Sequence, residues 1–315
     1  MSKKSVLVLG VGGTGVATVQ FLEKRLEKTA YRERVDAEIV TAVLDTGFPS
    51  DASLDATAIS LRVGMPWERV RDYLGREVWG DAQAYDPMPF EGAVFTRHEA
   101  YMAFLLAMQR DEKREALDCV LSQLSPDESG GLRVFFAASL AGSIGSGVVL
   151  PLALYVKGRL RAIFPSARVE TCAFLTLPEV HDPRGSMEET DRPVFYANAY
   201  AFFRELSALE CAATAGKISG LCIGHKDTAV GVLFDAVDTR FHTPDARPFD
   251  RVCLKGRTSS TATIASHYEA MANEIYMLAC TGVGRVFFSS PVSAPAWTDI
   301  LKGYKKDPPD GEAFF

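Results

Sequence analysis

Short apolar runs alternate along this chain with longer segments whose apolar positions recur about every 3.6 residues, a pattern that predicts an α/β fold with a mainly parallel sheet. The first strand is expected near residues 5–9, with a helix after Gly15 running toward Thr29. Ala37 to Leu44 reads as the next strand and gives way to the polar turn Asp45-Thr46-Gly47. Residues 48–90 are broken by proline, glycine and aromatics, and one helix is expected there, over Trp67 to Tyr73. A long helix is predicted from His98 to Leu124, then a turn at Pro126 to Gly131 and a strand from Leu132 to Ala138. Ser146 to Phe164 reads as a helix and Arg168 to Leu177 as a buried strand stopped by Pro178. Glu179 to Pro193 is polar and proline-punctuated, hence a surface loop, and Val194 to Leu209 is helical. A short strand at Arg251 to Leu254 precedes a helix from Thr261 to Cys280, which Gly282 and Gly284 are expected to stop.

A length of 315 residues with 47% hydrophobic residues suffices for a full core. We expect one domain over 1–288, with an irregular glycine-rich insertion at about 215–248, and a tail over 289–315. The formal net charge of −6 argues against a protein whose main task is gripping nucleic acid. The longest apolar run, Val148 to Val156, is too short to span a bilayer. The first strand follows Ser2-Lys3-Lys4 directly, which leaves no room for a signal peptide. The six cysteines show no C-x-x-C spacing and read as reduced, mostly buried thiols. Together these features lead us to expect a cytoplasmic protein with no membrane segment.

Two glycine-rich turns carry the candidate chemistry. The first is Gly10-Val11-Gly12-Gly13-Thr14-Gly15, and the second is Ala141-Gly142-Ser143-Ile144-Gly145-Ser146-Gly147. Each follows an apolar run and precedes a helical segment. Free backbone N–H groups and the helix dipole converge at such a junction and make it an anion site. Gly10, Gly12 and Gly15 fit the G-x-G-x-x-G dinucleotide fingerprint, which is weak alone, and its acidic partner would be Asp45, somewhat late. Asp45 stands at the end of a strand, where a carboxylate can hold Mg²⁺ or a ribose, or simply start a turn. No Walker lysine follows either turn, and the histidines lack zinc spacing, so His181-Asp182 reads as surface. Arg97 and Arg184 are near enough in sequence to add positive charge.

The second turn resembles the signature loop of the tubulin/FtsZ superfamily, and the first is similar to that superfamily's first phosphate loop, closest in style to the divergent bacterial tubulin-like proteins. Gly92-Ala93, ahead of the helix at His98, occupies the place of the third loop. The resemblance covers about residues 5–285. It implies a three-layer Rossmann-like GTPase domain, with the family's C-terminal second domain absent or vestigial. It also implies GTP or GDP, with Mg²⁺, held by Gly10, Gly12, Gly13, Thr14, Gly15, Asp45, Gly92, Ala93, Gly142, Ser143, Gly145, Ser146 and Gly147. Asn198 matches the asparagine that reads guanine, and Tyr268, with His267 beside it, the residue that closes over the base. Departures are also present. Ile144 replaces the signature threonine, and Val94 replaces a glycine in the third loop. The family's water-activating acid, which completes the next subunit's site, has only Asp299 to fill it. The resemblance therefore implies a guanine-nucleotide-binding protein with slow, assembly-dependent hydrolysis, or nucleotide as an assembly switch, through self-association or a partner subunit. An NAD(P)-dependent oxidoreductase and a nucleotide-free interaction module stand as alternatives.

Overall fold

Strand β1 (Val6–Val11) is buried along its whole length, as expected of a strand covered on both faces. In the computed structural model, residues 5–28, 39–48, 55–62, 97–109, 111–181, 191–214, 247–257 and 262–290 are described. From β1 the chain enters α1 (Gly12–Glu27), then β2 (Ile39–Asp45) and β3 (Thr57–Ser60). Helices α2 (Arg97–Gln109) and α3 (Asp111–Ser122) lead to β4 (Gly131–Ser139) and α4 (Ser143–Ile163). Next come β5 (Arg168–Thr176), a 3₁₀ turn at Pro178–Val180, and α5 (Asp191–Thr214). Strand β6 (Arg251–Lys255), α6 (Ile264–Cys280) and the short α7 (Val283–Ser289) complete the described elements.

The six strands lie in the order β3-β2-β1-β4-β5-β6, and every neighbouring pair is parallel. Period-2 alternation divides the strand side chains between two cores. Val6, Val8, Phe135 and Phe174 face Val16, Val19 and Leu22 of α1 and Met271 and Ile275 of α6. Leu7, Leu9, Val134 and Phe136 face the other way, onto Phe104 of α2, Leu117 of α3, Val148 of α4 and Phe202 of α5. The result is a three-layer α/β/α fold with a parallel sheet at its centre, in agreement with the sequence expectation.

Several boundaries differ from those read in the sequence. Helices α1 and α4 begin at Gly12 and Ser143, so both glycine turns supply the first turn of a helix rather than a loop ahead of it. The span His98 to Leu124 forms two helices. The second stops at Ser122 because Gln123 and Leu124 donate to Val120 and Leu121, in tightened i→i−3 turns. Helix α5 starts at Asp191 and takes Pro193 into its first turn, where a missing N–H costs no helical bond. The helix ends at Cys280 as expected, but Gly282 and Gly284 do not keep the following chain out of helix. After the break at Thr281 the chain re-enters a helix, and Gly284 packs so closely on the Leu278 carbonyl that no Cβ would fit. Strand β3 carries little apolar signal and was not expected. The helix expected at Trp67 to Tyr73 and residues 215–246 of the expected insertion lie outside the described residues.

Candidate functional site

Strand order reverses at β1 and β4. From β1 the chain moves out to β2 and β3 on one side, whereas β4 starts the run to β5 and β6 on the other. A parallel sheet opens a crevice at the carboxyl ends of the strands at such a switch point. Val11, the last residue of β1, pairs with Ala138 near the end of β4, so both glycine turns leave the sheet side by side. Their helices then depart to opposite faces, α1 to one core and α4 to the other. The turns touch. A Cβ on Gly12 would stand 3.3 Å from the Gly145 nitrogen and 3.3 Å from Ile144 Cβ, and Gly12 itself has φ 70°, which disfavours any side chain.

The glycines divide by role. Gly13 and Gly142 face open space, with nothing within 4 Å of where a Cβ would be. Gly10 and Gly15 instead face each other across the β1–α1 junction, where a Cβ would come within 2.5 Å of backbone atoms. Gly145 lies equally close to the Ser139 carbonyl, and Gly147 to that of Arg97. Neither α1 nor α4 has a side-chain cap or an acidic residue in its first turn, so the positive ends of both dipoles are left uncompensated from within. The Ser146 hydroxyl is turned inward, donating to the Gly142 carbonyl at 2.6 Å, and Ser143 is nearly buried. Ile144 is buried against Gly12, so it closes the junction by packing.

Asn198 and Tyr268 both reach these turns. Asn198, buried in the first half of α5, donates from Nδ2 to the Ala141 carbonyl at 2.9 Å and fastens that helix to the second turn. Thr14 Oγ1 donates to the Tyr268 hydroxyl at 3.3 Å, tying the first turn to α6. Burial pushes the Tyr268 hydroxyl above its ordinary pKa, against the lowering effect of that contact. Asp45 ends β2, one residue beyond the Val11–Leu44 pair. Its Oδ1 accepts from the Thr46 backbone at 2.7 Å, burial raises its pKa, and among the described residues no cation pairs with it.

Arg97, read as a source of positive charge, is engaged elsewhere. Its guanidinium forms a bidentate ion pair with Glu205 of α5, while Nε donates to the Ser146 carbonyl at 3.1 Å. Gly92, Ala93, Arg184 and Asp299 lie outside the described residues.

His181 is a correction to the sequence reading. It is not simply on the surface, but half-buried after the 3₁₀ turn, with Nε2 at 2.8 Å from Ser139 Oγ and 3.4 Å from Thr176 Oγ1. Ser139 Oγ also accepts from the Ala141 backbone at 3.1 Å, so the imidazole braces the entry to the second turn. Burial, with His267 nearby, holds His181 below its ordinary pKa, and burial does the same for His267. Sequence reasoning missed Ser139, Thr176 and His181 as a group. The available signal was a hydroxyl residue closing each of two apolar strands.

Fold and site define a doubly wound α/β protein in which two glycine turns and two uncapped helix starts meet at one switch point. A family profile described as tubulin like matches residues 93–296, and the chain belongs to that family. Among solved structures, it is similar to CetZ from Methanosaeta thermophila at 13% identity and TM-score 0.43, covering 95% of this chain and 58% of that one. CetZ2 from Haloferax volcanii, a GTPγS-bound protofilament, matches at 14% identity and TM-score 0.46, covering 96% and 62%. TubZ of Bacillus thuringiensis serovar israelensis, a GTPγS-form protofilament, matches at 12% identity and TM-score 0.44, covering 88% and 57%. The chain thus spans less than two thirds of each of these proteins. No curated protein matches it. Among the described residues, no helix is long and apolar enough to cross a membrane.

Proposed function

We propose that this protein binds a guanine nucleotide at the β1–β4 switch point, and that the bound nucleotide controls its self-association in the cytoplasm. The observation that carries the reading is the contact between the two glycine turns, Gly12 against Gly145, at the uncapped starts of α1 and α4. Two adjoining helix starts without side-chain caps suit a polyanion with several phosphates better than a single anion. Membership of the tubulin-like family supports a guanine nucleotide among the nucleotides such a cleft could take.

In this reading Gly13 and Gly142 lie under the phosphates, where the absence of a Cβ lets a ligand approach the backbone. Gly10, Gly15, Gly145 and Gly147 serve by letting helix and strand backbones close up behind them. Asn198, already fastened to Ala141, presents a carboxamide that can both donate to and accept from a base edge. Tyr268 covers the site from α6. Asp45 is suited to Mg²⁺, because a half-buried carboxylate with a raised pKa gains from a cation. Such an ion would neutralise phosphate charge there. Arg97 is committed to Glu205, so main-chain amides rather than that guanidinium do the phosphate binding. Hydrolysis is slow in the isolated chain and rises on assembly, with Asp299 the carboxylate proposed to act on water. The chain is organised as a nucleotide-binding domain over 1–288 with a tail over 289–315.

A thermal-shift panel of GTP, GDP, ATP, NAD and NADP, each with and without Mg²⁺, tests the assignment. GTP and GDP are expected to stabilise the fold by roughly 2.7 kcal/mol at a hundredfold excess over Kd, and NAD and NADP not at all. Stabilisation by NAD or NADP alone, or by none of the five, would remove the proposal.

A further inference from the structure

Strands β5 and β6 bring two thiols together, away from the nucleotide cleft. Cys172 and Cys253 have their sulfur atoms 3.9 Å apart. The register sets Cys172 opposite Arg251 and Cys253 opposite Phe174, so the thiols are diagonal neighbours, both against the same hydrophobic core. Cys172 is fully buried, whereas Cys253 is half-buried and faces a cavity of about 300 Å³ walled by Phe174, Met277, Leu278 and Phe287, with Asn273 and Glu274 at its polar side. One sulfur is thus reachable by a small molecule and the other is held directly behind it. Among the described residues β6 is the outermost strand and is half-buried throughout, and closing the gap to a bond of about 2.0 Å requires it to shift against β5.

We propose that Cys172 and Cys253 are a reversible dithiol site for small hydroperoxides, with Cys253 the attacking sulfur and Cys172 the resolving one. In the first step the Cys253 thiolate attacks one peroxide oxygen and the O–O bond breaks. The leaving hydroxide or alkoxide takes up a proton to become water or an alcohol, and Cys253 becomes a sulfenic acid, oxidised by two electrons. In the second step Cys172 attacks that sulfur, the S–O bond breaks, and the departing hydroxide leaves as water with the Cys172 proton. The balance is two thiols and one hydroperoxide to one disulfide, one water and one water or alcohol. The electrostatics favour this order. The thiol–thiol hydrogen bond, then Lys255, hold Cys253 below the ordinary thiol pKa against burial and the Glu274 carboxylate, while the same contact and burial push Cys172 up.

The test uses the full, reduced chain, treated with hydrogen peroxide, alkylated, and digested without reductant. Mass spectrometry is expected to find one dominant cross-link, joining Cys172 to Cys253, which dithiothreitol removes. In Cys172→Ser the link is replaced by a dimedone adduct on Cys253. Should that variant fail to fold, alkylation of the native reduced protein gives the same answer: Cys253 reacts about tenfold or more faster than Cys172. Links scattered over other cysteines, irreversible oxidation of Cys253 with no link, a folded Cys172→Ser without adduct, or equal alkylation of the two thiols would each overturn the proposal. None of these readouts depends on nucleotide.

Discussion

His181 shows how one side chain can gain a role from position alone. Its ring fills the space between Ser139 and Thr176 and thereby fixes the backbone that enters the second glycine turn. Burial favours the neutral ring, and a second imidazole, His267, adds to that preference. The pH consequence follows. Folded His181 titrates below its ordinary value of 6.5, so the unfolded chain takes up the proton first as pH falls. The stability carried by the neutral ring is whole above that value and is lost as pH falls through it toward the lower folded value. The imidazole is faced by His267 on α6 and by the Phe195 ring of α5, which packs edge-on at 6.4 Å. In His181→Gln, which keeps a hydrogen-bonding end but no titration, the advantage of the native protein over the variant should shrink between pH 7.5 and pH 5.5. Urea midpoints at a series of pH values check this, and a constant difference across the range would contradict it.

At the scale of elements, the β1–α1 and β4–α4 junctions depend on backbones that come closer than side chains allow. Gly15 is the sharpest case, since a Cβ there would stand 2.5 Å from the Ala137 carbonyl oxygen and from the Gly10 carbonyl carbon. Both neighbours are backbone in the centre of the sheet and cannot move aside. Gly15→Ala is therefore expected to cost about 3 kcal/mol of stability, the upper range for overpacking. Gly13→Ala, with open space around it, should leave unfolding nearly unchanged. Chemical denaturation of the two variants checks the contrast, and equal losses would refute the division of roles among the glycines. The strands of these junctions were legible because continuous apolar runs such as Val6-Leu7-Val8-Leu9 have no other stable place than a doubly covered sheet. Helix starts were less legible. Glycine and serine are poor helix formers by propensity, yet Gly12 and Ser143 begin helices because the sheet and the opposite turn hold them there. The same override hid β3, a weak strand recruited by pairing with β2.

For the whole molecule, the arrangement places a candidate polyanion site at the seam between two halves of one sheet, with α5 and α6 each sending a side chain to it. Helix α5 is also clamped to α2 by the Arg97–Glu205 pair, whose Nε contact with Ser146 extends the clamp to α4. A ligand at the seam would therefore touch elements from both cores at once, which is how its presence could alter an outer surface. Light scattering on the full chain is expected to rise with GTP and Mg²⁺ relative to GDP or no nucleotide. Hydrolysis per subunit should climb with protein concentration. Fast turnover in dilute monomer would contradict assembly-dependent hydrolysis, and scattering indifferent to nucleotide would contradict the switch.

The order of apolar runs and glycine turns determined the α/β class, the parallel sheet and the two turns as the place to look, because burial of strand faces and the need for a Cβ-free backbone are written in residue type and spacing. Only the tertiary structure decided that the turns meet, that Arg97 answers to Glu205, and that His181 stands behind Ser139. Those facts depend on which strands are neighbours. Pairings between residues 12 and 145, 97 and 205, or 139 and 181 are made by the sheet order, which local sequence does not carry.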